Sequence, residues 1–306
     1  MHWLRGPVAV GRRTPVAASS LTRRRPPPPP ARGVQPPGTM PRLSGWRRIA
    51  NAMWHPPDDP QIYGAVDVDA TAALAFLERG RAAGHHLTAT HLVGRAVAHA
   101  LVAVPDLNVR LRGDRAVARG AVDIFFITAV RGGHDLSGVK VADLGARSVF
   151  ALASDLAARA GKMKAGDDRE LARSKSLMDH LPGPLLRTAL RATALLTNTL
   201  QLELPSLGLH ASPFGSAMVT SVGMFGLPHG FAPLAWMYDV PLLVLVGEIT
   251  ERPVVIDHAV VVRPVIPITA TIDHRYVDGW HVSRLMKAFR AYLAAPADFE
   301  PAPPTP

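Results

Sequence analysis

Three residues in one short stretch have the types and spacing for proton chemistry. They are His274, Asp278 and Gly279, in the run ITATIDHRYVDGWHVSRLMKAFRAYL from residue 268 to residue 293. An imidazole with its ordinary pKa of about 6.5 is mostly neutral at pH 7, so it can take a proton from a weak acid and return it. The carboxylate four residues on could orient the turn or pair with an arginine. Taken alone, His-x-x-x-Asp is more often a surface pair or a chance match than a site. A metal reading of His274 and Asp278 lacks a third ligand at suitable spacing. The chain has no cysteine, which removes thiolate metal sites, a cysteine nucleophile and disulfides together. Ser137 and Ser221 invite a Ser-His-Asp hydrolase, but neither stands in a Gly-x-Ser-x-Gly elbow. Gly132 and Gly133 lack the spacing of a phosphate loop. His91, Arg95 and His99 share one helical stripe, read here as a solvated face.

The elements around the His274 turn are legible. Val282, Leu285, Met286, Phe289 and Leu293 fall on one helical face, with Ser283, Arg284, Lys287 and Arg290 opposite. Residues 265–272 read as the strand that delivers His274, so the turn is anchored on both sides. Upstream, Leu43, Trp46, Ile49, Ala50 and Met53 predict a helix over 42–53, and 61–68 a strand. Asp69 or Thr71 opens a helix that ends by Gly84, and Thr88 or Thr90 opens another that Pro105 stops. Short strands flank Gly113-Asp114, and 122–130 is a continuous apolar run, read as a central strand covered on both faces. A helix follows at 148–160, then a charged, exposed stretch over 162–176 and an apolar helix candidate over 181–204. Residues 254–256 and 259–262 form a hairpin around Asp257-His258.

Asp273-His274-Arg275 followed by Asp278-Gly279 resembles the signature of the dihydrolipoamide acyltransferases of 2-oxo acid dehydrogenase complexes, within the chloramphenicol acetyltransferase-like superfamily. The order of RRIANAM (47–53), VDV (66–68), LTATHLVGRAVAHAL (87–101) and VPDLNVRL (104–111) is similar to the catalytic domain of that family, as is FGSAMVTSVGMFG (214–226). The resemblance covers about residues 41–298. It implies an α/β fold, an α+β two-layer sandwich with a mixed sheet covered by helices, assembled as a homotrimer or larger with the active site between subunits. It also implies a chemistry. His274 is the general base, Thr220 the hydroxyl that hydrogen-bonds the tetrahedral intermediate, and Asp278 a structural acid paired with Arg48 or Arg275. Ser221 stands where Asn or Ser is usual, and Asp273, Arg275 and Gly279 support the turn. Gly279 is expected to supply a backbone conformation closed to other residues. The substrates implied are an acyl-CoA and an acceptor thiol of dihydrolipoamide type, with no bound cofactor and no metal. No lipoyl or peripheral subunit-binding domain is recognisable, so lipoamide is expected in trans on a separate carrier protein.

The chain departs from the family pattern in two further places. Residues 132–141 read GGHDLSGVKV where relatives carry Gly-Leu-x-x-Pro-Val, which leaves a hydroxyl or amine acceptor open. About forty residues, near 168–212, stand as an insertion, read as a surface hairpin, a lid or a self-association element. A non-catalytic oligomeric scaffold of the same fold is the alternative from another class.

Net charge bounds the partners. Of the formal +10, seven arginines and no acid fall within residues 1–39, leaving an ordinary +3 elsewhere. The basic character therefore belongs to a Pro/Arg-rich segment expected to be disordered over 1–40, and the folded body has no nucleic-acid signature. Residues 299–306 are expected as a second disordered tail. No apolar run reaches the ~18 residues of a membrane span, and the N-terminus lacks a signal-peptide core. The expectation is a cytoplasmic protein.

Overall fold

The computed structural model describes residues 59–130, 135–164, 183–204 and 209–304. The helix expected at 42–53, with Arg48, lies outside the described residues.

Strand alternation decides which face each side chain meets. Strands β1 (Gln61–Asp69), β4 (Ile124–Val130), β5 (Asp135–Val141), β6 (Ala217–Ser221), β7 (Leu242–Val246), β8 (Thr250–Ile256) and β9 (Ala259–Asp273) form one sheet. Its order is β1-β9-β7-β6-β4-β5, and β8 pairs with the first half of β9. β4, β6 and β7 run parallel and the other pairings are antiparallel, so the sheet is mixed. Strands β2 (Val109–Arg112) and β3 (Arg115–Ala118) make a separate hairpin, as the Gly113-Asp114 turn predicts.

Helices α1 (Thr71–Ala82), α2 (Ala89–Ala103), α3 (Val149–Lys164) and α5 (Gly279–Ala294) supply the rest of the main core. From the sheet come Ile124, Phe126, Val219, Val244, Ile266 and Ile268; from the helices Leu77, Leu92, Leu101, Leu152 and Leu293. Each such leucine contributes about 1.5–3 kcal/mol by leaving water. Thr88 caps α2, accepting from the His91 amide at 3.4 Å while the Thr88 amide donates to His91 Nδ1 at 3.2 Å. α2 sits close on β4 because Gly94 offers no side chain: a Cβ there would come within 2.3 Å of the Phe126 ring.

The opposite sheet face carries a smaller cluster of Met218, Val240 and Leu243, with Phe125, Phe214, Leu234 and Tyr238 packed against it. β4 is thus apolar over 124–127, where Ile124 and Phe126 meet one cluster and Phe125 and Ile127 the other, but it is not central. β5 closes that edge, leaving β4 second from the end. The apolar helix expected over 181–204 is shorter: α4 (Gly183–Ala194) runs into a π-helical turn, Leu195–Thr199. Among the described residues no helix is long and apolar enough to cross a membrane.

Two expectations about the surface are corrected by one feature. Residues 299–300 do not trail off; Phe299 stacks on His99 and Tyr292, and Glu300 is buried. The Glu300 carboxylate accepts from the Tyr292 hydroxyl and the Val149 amide, each at 2.7 Å, and pairs with Arg95 at 3.0 Å. Arg95 and His99 of the stripe are therefore covered by the chain end rather than solvated. Burial holds the His91 imidazole down to about 4, so it is neutral at pH 7. The helical period located the stripe, but only the returning chain end shows what covers it.

Candidate active site

His274 leaves β9 into a turn held by backbone bonds on both sides. The Asp273 amide donates to Pro241 O and the His274 amide to Pro60 O, each at 2.9 Å, and the Tyr276 amide closes the turn on Asp273 O at 3.1 Å. The peptide frame is fixed while the imidazole is exposed and has no partner among the described residues. Asp273 is buried and faces the Arg275 guanidinium through three contacts, 3.0 and 3.1 Å from Nε to Oδ1 and Oδ2 and 2.6 Å from Nη2 to Oδ2. That side-chain hydrogen bond raises the Arg275 pKa above its ordinary value.

Asp278 takes a different role from the one its spacing implied. Arg275 is committed to Asp273, so the Asp278–Arg275 pair does not form. Instead Asp278 caps α5, with Oδ1 accepting from the Trp280 amide at 3.0 Å and the His281 amide at 3.1 Å, and lying 2.8 Å from His281 Nδ1. The backbone bond from His281, then its ring, hold the Asp278 carboxyl below the usual carboxylate range. Gly279 is corrected as well. It begins α5, is not among the positive-φ glycines, and has open space where a Cβ would stand. Within one chain neither conformation nor room requires glycine there.

Thr220 and Ser221 end β6, both half-buried. Alternation puts Thr220 on the same face as Met218, away from the helices. Its hydroxyl has no partner among the described residues. The strand register then measures the gap to His274. Thr220 lies opposite Leu245 in β7, which lies opposite Thr269 in β9. Two strand spacings of about 4.8 Å and five residues of about 3.3 Å separate the two positions by roughly 19 Å. His274 emerges at the sheet end where β6 and β7 begin, and Thr220 stands where they finish. Within one chain they are several times farther apart than a hydrogen bond. Two cavities, of about 650 Å³ beside Phe125, Ile127 and Phe214 and about 330 Å³ beside Arg110, Arg119 and Gln201, are lined by neither residue.

The face bearing Thr220 leads into a loop with much exposed apolar surface. Met224 is 73% exposed and Phe225 51%, and Leu227, Phe231 and Trp236 are exposed too. Tyr63 packs edge-on to Phe231 at 5.2 Å between ring centroids and is itself exposed. A set of this size on one protein is the mark of a contact surface rather than of scattered residues.

The residues that brace the turn from below were not anticipated. Tyr276 donates its hydroxyl to Asp239 Oδ1 at 3.1 Å, and Arg112 donates to both Asp239 oxygens at 3.2 and 2.9 Å. Burial and then the Asp239 charge push the Tyr276 phenol well above its ordinary pKa, so it stays a donor at neutral pH. No spacing links positions 112, 239 and 276. The one local signal was a polar aromatic, Tyr276, beside Val277 in an otherwise charged turn.

Residues 39–170 and 207–300 match the family described as 2-oxoacid dehydrogenases acyltransferase (catalytic domain). The dihydrolipoyllysine-residue acetyltransferase component of the pyruvate dehydrogenase complex of Zymomonas mobilis is 25% identical over 261 residues, covering 83% of this chain and 50% of that protein. The chain spans about half the length of the curated relatives it matches. Among solved structures, a probable dihydrolipoamide acetyltransferase of Listeria monocytogenes is similar at TM-score 0.57 and 21% identity, over 84% of this chain and 95% of that one. The cubic core of a pyruvate dehydrogenase multienzyme complex is similar at TM-score 0.54 and 20% identity, over 88% and 97%. Likeness at these identities establishes the fold.

Proposed function

The chain belongs to the 2-oxoacid dehydrogenases acyltransferase (catalytic domain) family, and from that premise we propose that it moves an acyl group between CoA and a dihydrolipoamide-like thiol, in a site completed by two copies of the chain. His274 of one copy is the base and Thr220 of the next is the oxyanion donor. The acceptor S–H gives its proton to the neutral imidazole as sulfur attacks the thioester carbonyl. The carbonyl electron pair moves onto oxygen, and the Thr220 hydroxyl donates to that oxyanion. When the carbonyl re-forms, the carbon–sulfur bond to the departing thiol breaks, and the imidazolium returns the proton to that sulfur. No acyl-enzyme is needed, because both thiols meet at one carbonyl.

The observation that carries this reading is the register gap. Two side chains suited to one reaction, each without a partner among the described residues, stand roughly 19 Å apart in one chain, and a second copy is what would bring them together. The exposed apolar loop beyond Thr220 supplies a surface for that copy to cover, and the relative from the cubic core is itself part of an oligomeric assembly. Asp273, Arg275 and Asp278 hold the turn and the start of α5, Gly279 leads into that helix, and Ser221 ends the strand beside the donor. Arg48 remains the candidate arginine from outside the described residues. The acceptor lipoyl group is taken to arrive on a separate carrier.

The test is direct. Purified protein with a panel of acyl-CoAs and dihydrolipoamide should release CoA, and His274→Ala should lower kcat by about 10²–10⁴-fold. An assembled protein with no turnover over the panel establishes the scaffold reading instead. Turnover only with hydroxyl or amine acceptors overturns the thiol assignment alone.

A further inference from the structure

Residues 171–206 lie between the two family-matched stretches, yet part of this segment reaches the His274 turn through side chains. Its π-helical turn, Leu195–Thr199, buries Asn198, which is 6% exposed. Short π turns inside helices are often functional irregularities. Asn198 Nδ2 donates to Met237 O at 2.8 Å, and Asn198 O accepts from Arg112 Nη2. The same guanidinium holds both oxygens of Asp239. Asp239 stands at φ +55°, a left-handed conformation that an aspartate keeps only when its surroundings hold it. Arg119 helps hold it, donating to Asp239 O and lying 3.9 Å from Oδ2.

From Asp239 the path goes straight to the turn. Tyr276 OH donates to Asp239 Oδ1, and two residues on from Asp239, Pro241 O accepts the Asp273 amide. The loop 237–241 thus grips the His274 turn at two points, and Asn198 and Arg112 hold that loop from behind. The Asn198 side chain holds the loop at Met237, whereas its backbone carbonyl holds Arg112, so a side-chain change at Asn198 acts on the loop through Met237. We propose that Asn198 is a positioning residue for His274, and that the segment outside the family-matched stretches braces the candidate base through Arg112, Asp239 and Tyr276. This rests on the reading of His274 as the base, but its structural half stands separately.

The test uses the assembled full chain with Asn198→Ala and Tyr276→Phe, each alone and together. Amide hydrogen exchange at residues 273–276 should speed up about tenfold in both, with α2 and β6 keeping wild-type protection. Acyl-transfer kcat should fall by about 10-fold with KM for the acyl-CoA unchanged. The double variant should be no worse than the more affected single one, because both cut the same path. The proposal is overturned if Tyr276→Phe alone alters the turn, or if Asn198→Ala raises exchange uniformly across the sheet, which is loss of fold rather than of position. A wild-type protein inactive toward every acyl-CoA overturns the proposed reaction, and the exchange result still decides whether Asn198 braces the turn.

Discussion

Copies carrying His274→Ala and copies carrying Thr220→Ala, co-assembled in equal amounts, should recover activity that neither variant has alone. The register sets the expectation. If the base and the oxyanion donor are roughly 19 Å apart in one chain, each working site takes His274 from one copy and Thr220 from its neighbour. In a closed ring with random mixing, about one junction in four draws both intact residues. Alone, Thr220→Ala should sit about 10²–10³-fold below wild type and His274→Ala about 10²–10⁴-fold below. The mixture should therefore reach about a quarter of wild-type kcat, far above either parent. The assay is CoA release from an acyl-CoA with dihydrolipoamide, after subunit exchange in mild denaturant, with exchange confirmed by mass tags on the two variants. If the tags mix and activity stays at the mean of the parents, the site does not lie between copies and the reasoning from the strand register fails.

Three further outcomes follow from the packing. Glu300→Ala should destabilise the fold by about 3–5 kcal/mol, read by chemical denaturation, because it strands the Arg95 charge in the core. The His91 imidazole is held down to about 4 by burial, below its ordinary 6.5, so the unfolded chain takes up the proton first as pH falls. Stability present above about pH 6.5 is then lost progressively down to about pH 4, and His91→Gln, which can keep the capping box, should flatten the Tm–pH curve over that window. Gly94→Ala should cost about 1–3 kcal/mol by forcing the Phe126 ring aside, whereas Gly279→Ala, with open space and no positive φ, should gain about 0.4–1 kcal/mol.

Local chemistry made much of this protein legible without coordinates. The period of 3.6 in 282–293 placed α5, β-strand runs placed β1 and the second half of β9, and Thr88 stood as one of two candidate starts of α2, because each depends on a few neighbouring residues. The Asp-His-Arg turn announced a candidate base for the same reason. What the spacing could not supply was anything carried by distant partners. Asp278 is a helix cap and not the partner of Arg275, because Arg275 turned back to Asp273. The cover over Arg95 and His99 depends on Glu300 and Phe299, and the brace of Tyr276 on Asp239 and Asn198.

The largest tertiary decision is where the two reactive side chains stand. Sequence by itself determined that an imidazole would follow the end of a strand, since strand-and-turn patterns are short-range, whereas the hydroxyl at the end of a second strand was named only through resemblance to the family. Strand order and direction, set by how the whole sheet buries its apolar face, then sent those two ends to opposite margins. That separation is a property of pairing between strands far apart in the chain, and the proposed site between two copies rests on it.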